Sequence, residues 1–379
     1  MAKPGIYFHI PFCRSKCDYC GFYSVPAEGG DGKALVRRYI PVLLDEIERR
    51  KGEVSGSVDT VFFGGGSPSF FDPADLTPVF DALRSSFVID ADAEITVEIN
   101  PSDLRRDIIP FLSDSGVNRF SMGVQTLDRE LYARIGRKGG FCTPELLDRY
   151  FSIPGVQHCV DIIGGLPGQT PAMLRSELET ILPYRPEHIS LYMLTLEEGS
   201  PLERRFRPDD GFDHEQKAVI AEGIGVLDSR GYEHYEVSNF ALPGRRSRHN
   251  MKYWTFEPYL GIGAGAHSFI GGERMSNPAD VEAYIGGAPP RRDDRNSRET
   301  RMAEFLMTSL RLREGFSTSR FEELFGGPLP SSVEMRVKEL SEKGSLQVCR
   351  EGTFLRIAVS DEGFFFSDSV IYAMVEPLL

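Results

Sequence analysis

The chain has 379 residues, of which 41% are hydrophobic and 26% charged, and its formal net charge is −13. That apolar share argues against a disordered chain, and the length suits one large α/β unit with a smaller one behind it. The acidic balance repels polyphosphate and argues against nucleic acid as a partner.

Met1 to Pro4 leads straight into an apolar strand with no signal peptide, and no apolar run approaches the ~20 residues of a membrane span, so a cytoplasmic protein without a transmembrane segment is expected. Short β-rich runs follow at Ile6–Ile10, Thr60–Phe63, Glu94–Ile99, Arg119–Val124, Cys159–Ile163 and His188–Leu194. Between them lie helical patterns such as Leu35–Arg50, Ala74–Ser86, Leu104–Ser115 and Ala172–Leu182. The repeat predicts an α/β fold, an incomplete TIM-like (βα)6 barrel over residues 1–230 that ends in a helix from His214 to Arg230. Glycine, proline and polar residues gather at the C-terminal strand ends, where the sites of parallel barrels are built.

Residues 231–290 carry RHNMKYW and YLGIGAGAHSF and are expected to pack on the barrel. Arg245, Arg246 and Arg248 read either as an anion contact or as a solvated loop. Gly286–Arg298 reads as a linker, and Arg291, Arg292, Arg295, Arg298 and Arg301, mixed with Asp293, Asp294 and Glu299, read as a hydrated linker rather than an anion contact. Residues 291–379 follow as a small winged-helix-like α+β domain, from helices at Glu299–Arg313, Ser317–Phe325 and Ser332–Lys343 and a strand at Thr353–Val359.

Cys13, Cys17 and Cys20 form C-x3-C-x2-C directly after the first strand. A loop of this length can wrap three thiolates around one iron–sulfur cubane. A zinc site, which usually pairs separated ligand couples, or three buried thiols are the alternatives. Cys142, Cys159 and Cys349 fall within predicted elements and are expected to be core thiols.

With these cysteines the chain resembles the radical-SAM superfamily, and within it the group shared by oxygen-independent coproporphyrinogen III dehydrogenase and the HemW-type haem chaperones. The resemblance implies a [4Fe-4S] cluster on Cys13, Cys17 and Cys20, its open iron chelated by S-adenosylmethionine, and reductive cleavage of that ligand to a 5′-deoxyadenosyl radical. It places Tyr7, Tyr19, the Gly64-Gly65-Gly66-Ser67 loop, Glu98, Gln125, Arg137 and Asp161 around S-adenosylmethionine. Glycine is expected in that loop so that backbone can approach the ligand. An ordinary strand aromatic remains the other reading of Tyr7, and a salt bridge at the barrel mouth that of each charged residue.

Phe22 separates the two members of the group: the dehydrogenase has a further cysteine two residues after the third ligand, whereas the chaperones typically have Phe there. Only twelve residues precede Cys13, where the dehydrogenase has a long N-terminal extension. The resemblance therefore implies a haem chaperone that binds haem and hands it to acceptor haemoproteins, with an electron donor for the cluster. Oxidative decarboxylation of coproporphyrinogen III is the alternative, and no residue is assigned a catalytic role. His249, Asn250, Tyr253 and Trp254, in a segment that resembles the group's HNxxYW motif, and His267 are candidates to contact haem; packing the domain junction is the other reading of the motif. His9 reads as structural.

Overall fold

The computed structural model describes residues 2–104, 107–208, 211–292 and 297–379. Six parallel strands form its centre: β1 (Gly5–Ile10), β2 (Ser57–Gly65), β3 (Val88–Ile99), β4 (Arg119–Gln125), β5 (Gln157–Gly164) and β6 (His188–Met193). Helices cross over between them, including Gly30–Arg50, Pro73–Ser86, Ile108–Asp114, Pro171–Ile181 and, after β6, Phe212–Ser229. The expected (βα)6 partial barrel is therefore present. Of the helix expected at Leu104–Ser115, residues 105 and 106 lie outside the described residues.

Side chains alternate along each strand. Ile6, Phe8 and Ile10 of β1, Val61 and Phe63 of β2 and Val97 and Ile99 of β3 pack outward into the main core, together with Val36, Leu43, Leu76 and Phe80 of the crossover helices. The opposite face presents Tyr7 and His9, Thr96 and Glu98, Ser121, Asp161, His188 and Ser190. A barrel filled only for stability would be apolar on both faces of each strand. This polar interior is where the fold holds a site.

The sheet does not stop at six strands. β7 (Glu233–Glu236) and β8 (Asn239–Ala241) continue it antiparallel beyond β6. At the other edge β9 (Tyr259–Ile262) pairs parallel with β1, and β10 (His267–Ile270), β11 (Glu273–Ser276) and β12 (Arg291–Arg292) follow antiparallel. Residues 231–290, read from sequence as a segment packed on the barrel, thus supply strands to both of its edges. Of the expected linker, residues 293–296 lie outside the described residues.

The C-terminal domain has helices Arg298–Ser309, Thr318–Phe325 and Ser331–Glu342 and a three-stranded sheet of β13 (Phe316–Ser317), β14 (Leu346–Glu351) and β15 (Phe354–Val359), with β15 central. The hairpin of β14 and β15 is the wing. Its core is continuous with Phe256, Tyr259 and Phe269 of the barrel extension. Cys142 and Cys159 are buried as expected, but Cys349 is exposed, because β14 is an edge strand of the wing with its residues after Leu346 in solvent.

Candidate iron–sulfur and cofactor site

A cavity of about 300 Å³ opens at the C-terminal ends of the barrel strands. Cys13, Cys17 and Cys20 line it with Tyr19, Gly65, Gly66, Ser67, Glu98, Gln125, Arg137 and Asp161. Of the residues assigned to S-adenosylmethionine by resemblance, Gly64 and Tyr7 lie outside this lining, and the Tyr7 hydroxyl meets His9 Nδ1 at 2.9 Å lower in the barrel. His9 Nε2 in turn meets the Tyr23 carbonyl at 2.9 Å, a structural contact.

The cysteine loop is pinned on both sides. Asp18 N–H donates to the Gly136 carbonyl at 3.2 Å, Leu202 N–H donates to the Asp18 carbonyl at 2.9 Å, and Arg205 forms an ion pair with the Asp18 carboxylate. Cys17 Sγ accepts from Arg137 Nη1 at 3.4 Å and from Lys138 N–H at 3.3 Å. Burial pushes the Cys13 thiol up to about 11 and raises Cys20 as well. Among the described residues no three His, Cys, Asp or Glu side chains converge on a point that would hold a single metal ion. The three thiols instead share the rim of one cavity, a disposition suited to a multi-iron cluster.

The glycine loop after β2 is crowded by the chain itself. Gly66 N–H donates to the Ile10 carbonyl at 2.9 Å, and a Cβ at Gly66 would lie 2.6 Å from that oxygen. Gly65 has φ 99°, and a Cβ there would meet the His9 ring at 2.4 Å. Glycine is required at both positions by β1 and its continuation, before any ligand is considered. Ser67 Oγ donates to Asp103 Oδ2 at 3.1 Å and accepts from Asn100 Nδ2 at 2.6 Å.

Two carboxyl groups face the cavity floor. Burial, then the charge of Asp161, pushes Glu98 up to about 8, opposed by the Gly65 N–H at 3.2 Å. Asp161 is raised by burial, against hydrogen bonds from Ser190 and Ser121. The charge of Arg119, and for Asp161 also of Arg137, offsets part of this, and neither carboxyl has an ion-pair partner among the described residues. Gln125, at φ 68°, ends β4 in the left-handed region where its strand pairing with β5 shifts register. A non-glycine residue is uncommon there and is held by its surroundings. Arg137 reaches across to Asn100 Oδ1 at 2.5 Å and to the Gly123 carbonyl at 3.0 Å, while its Nε is buried with no hydrogen-bond partner among the described residues.

Asn100, Asp103, Ser121 and the Lys138 amide are parts of the site that sequence reasoning missed. Asn100 was visible only as an Asn-Pro strand end, and nothing local marks the others.

The haem candidates lie elsewhere. His249, Asn250, Tyr253 and Trp254 sit on the helix Arg248–Trp254, at the N-terminal end of the barrel. His249 is fully buried, with Nδ1 on Thr60 Oγ1 and Nε2 on Tyr253 Oη, both at 2.9 Å, and burial pushes it down to about 3. Its imidazole is neutral and has no nitrogen free for iron. The Asn250 N–H bonds the capping Ser247 Oγ at 3.3 Å. Trp254 faces the C-terminal domain, where the Arg311 guanidinium lies 4.9 Å from its ring. His267 is exposed at the start of β10. Of the basic run, Arg246 pairs with Glu233 and Glu314 and Arg248 with Asp59, while Arg245 is exposed.

Comparison with known proteins agrees with this geometry. Residues 7–181 match the radical SAM superfamily and residues 296–366 the HemN C-terminal domain. The heme chaperone HemW of Lactococcus lactis subsp. lactis (strain IL1403) is 33% identical, across 98% of this chain and 97% of the relative. This chain belongs to the HemW family. A second HemW, from Bacillus subtilis (strain 168), is 33% identical over 92% of this chain and 94% of its own. The solved coproporphyrinogen III oxidase HemN from Escherichia coli shares the fold, with a TM-score of 0.82 at 23% identity over 98% of this chain and 90% of that one.

The superfamily's resident groups are a [4Fe-4S] cluster and S-adenosylmethionine, and the cavity fits both. Three thiols on one rim leave the fourth position of a cubane open. Half-buried carboxyls without an ion-pair partner among the described residues suit an ammonium or sulfonium ligand. No helix among the described residues is long and apolar enough to cross a membrane.

Proposed function

We propose that this chain is a haem chaperone, which binds haem and passes it to acceptor haemoproteins while carrying a cluster on Cys13, Cys17 and Cys20 with S-adenosylmethionine beside it. The observation that carries the reading is whole-length likeness to heme chaperones named HemW, with Phe22 at the cavity lip. Phe22 is 69% exposed. It stands where the dehydrogenase would present another thiol.

Within the site each residue has a physical task. The cysteines would hold the cluster as thiolates, so loading must expel the protons that burial keeps on Cys13 and Cys20. Arg137 and the Lys138 amide direct N–H groups at the Cys17 sulfur. Glu98 and Asp161 attract the cationic part of S-adenosylmethionine, while Ser121 fixes the Asp161 carboxylate at 3.1 Å. Gly65, Gly66 and Ser67 keep the wall close, and Gln125 and Tyr19 are assigned to the same ligand. Bound together, cluster and S-adenosylmethionine supply one-electron reductive chemistry, which requires an electron donor; acceptor and donor are proteins yet to be identified.

The test is a Soret titration of the cluster-loaded protein with haem, then mixing with a haem-depleted haemoprotein. Saturable binding followed by recovery of acceptor activity is expected; no binding would overturn the reading. Anaerobic incubation with S-adenosylmethionine, reductant and coproporphyrinogen III checks the alternative. Loss of two carboxyl groups from the porphyrin would make the protein a dehydrogenase.

A further inference from the structure

Three large apolar side chains stand exposed where the cysteine cavity opens: Phe22 at 69%, Tyr192 at 42% and Met193 at 44%. They reach the opening from two stretches of chain. Phe22 follows the third cysteine, whereas Tyr192 and Met193 end β6, the last of the six parallel strands. The two stretches meet there, since a Cβ on Gly21 would lie 2.5 Å from Glu197, just beyond β6. Tyr192 continues the inward face of His188 and Ser190. Its hydroxyl bonds Ser190, which leaves the ring to the cavity. One exposed apolar residue is ordinary, but three around one opening mark a contact surface.

The interior below them is small. Its volume of about 300 Å³ is at the low end for enclosing one small ligand, ~300–1,000 Å³. With the cluster and S-adenosylmethionine inside, a larger guest can only lie across the opening. The charges there suit a guest that carries carboxylates. Lys16 and Lys138 are exposed, and neither ammonium has an ion-pair or hydrogen-bond partner among the described residues. Lys138 lines the cavity, and Lys16 acts electrostatically on the Cys20 thiol, so both border the cluster loop. The neighbouring arginines are engaged: Arg14 with Glu28 and Asp103, Arg205 with Asp18, and Arg137 with Asn100. Glu197, exposed beside Gly21, repels carboxylates and leaves the lysines as their contacts.

Resting on the haem-carrier reading, we infer that haem lies across the mouth of the cysteine cavity, its macrocycle on Phe22, Tyr192 and Met193 and its carboxylates on Lys16 and Lys138, as a lid over bound S-adenosylmethionine. One face of the macrocycle then closes the cavity, and the other faces solvent, where an acceptor can take it. Cargo and cofactor share one composite site. Each should therefore hold the other in place, and by the same factor in both directions.

The test titrates the full-length, cluster-loaded protein with haem and with haem dimethyl ester, followed by difference absorbance in the Soret band. Iron and sulfide content confirms the cluster in each variant. Phe22→Ala should weaken both ligands by about tenfold, the scale of exposing one phenylalanine side chain. K16Q/K138Q should weaken haem by about three- to tenfold and leave the ester unchanged. Calorimetry should show S-adenosylmethionine binding at least about threefold tighter to the haem-loaded wild type than to the haem-free protein. That measurement and the wild-type ester comparison need no variant; should Phe22→Ala lose its cluster, Met193→Ala takes its place. Haem that binds equally well to the lip and lysine variants, an ester that matches haem in the wild type, or S-adenosylmethionine affinity that is unchanged or lowered by haem overturns the inference and leaves the carrier reading standing. Wild-type protein that binds no haem removes the carrier reading itself.

Discussion

Glu98→Gln should make the cofactor-free protein more stable, and more so as pH rises. Glu98 is half-buried at the cavity floor, and its ionisation moves from an ordinary 4.5 to about 8 in the fold. The folded state therefore holds a proton that the unfolded chain gives up between those values, and stability falls as pH rises through that window. At 1.36 kcal/mol per unit, the wild type should lose about 3 kcal/mol between about pH 5.5 and 8.5, a difference the glutamine variant should not show. Urea denaturation of both proteins at the two pH values measures it. Equal slopes would refute the reasoning and place the pH dependence in other groups. A cationic ligand restores the carboxylate, so binding of S-adenosylmethionine near neutral pH should release a proton in the wild type and none in the variant. Calorimetry in buffers of different ionisation enthalpy reads that release.

The remaining predictions are independent of each other. His249→Ala removes two buried hydrogen-bond partnerships and leaves a cavity, and should destabilise the protein by about 3 kcal/mol in denaturant melts without weakening porphyrin binding. Gly65→Ala forces a Cβ into the His9 ring at a positive φ, and should cost about 1–3 kcal/mol and abolish binding of S-adenosylmethionine, measured by calorimetry. Arg137→Met removes one of two N–H donors from the Cys17 sulfur and should make the assembled cluster harder to reduce, seen as a more negative midpoint in an EPR-monitored titration. Cluster assembly in weakly buffered solution should release protons from the raised Cys13 and Cys20 thiols, and the release should fall in Cys13→Ser.

Much of the cysteine cavity was legible because its parts are motifs at strand ends: C-x3-C-x2-C after β1, the glycine loop after β2, Glu98 near the end of β3. The partners that hold those parts were not. Asp103 and Asn100 act on Ser67 across 36 and 33 residues, and only the fold brings them together. The outer strands escaped for a different reason. β7 to β12 are two to four residues long, too short for alternation to appear, and β9 lies in a glycine-rich run that becomes a strand only by pairing with β1. The burial of His249 is equally a tertiary fact, since a histidine at the start of a helix reads the same whether it faces solvent or a barrel base.

The pairing of β1 with β9 bears on how the protein is made. β1 is among the first strands to leave the ribosome, yet its neighbour on one side is Tyr259–Ile262. Until that segment has been synthesised, the strand leading into the cysteine loop keeps an open edge. Non-local parallel pairing is slow, and an unpaired edge invites association with other chains. A chain cut near residue 240 would contain every cysteine of the cavity and still expose that edge, so it should aggregate where the full-length protein stays monodisperse. Iron–sulfur loading should accordingly follow translation of the barrel extension.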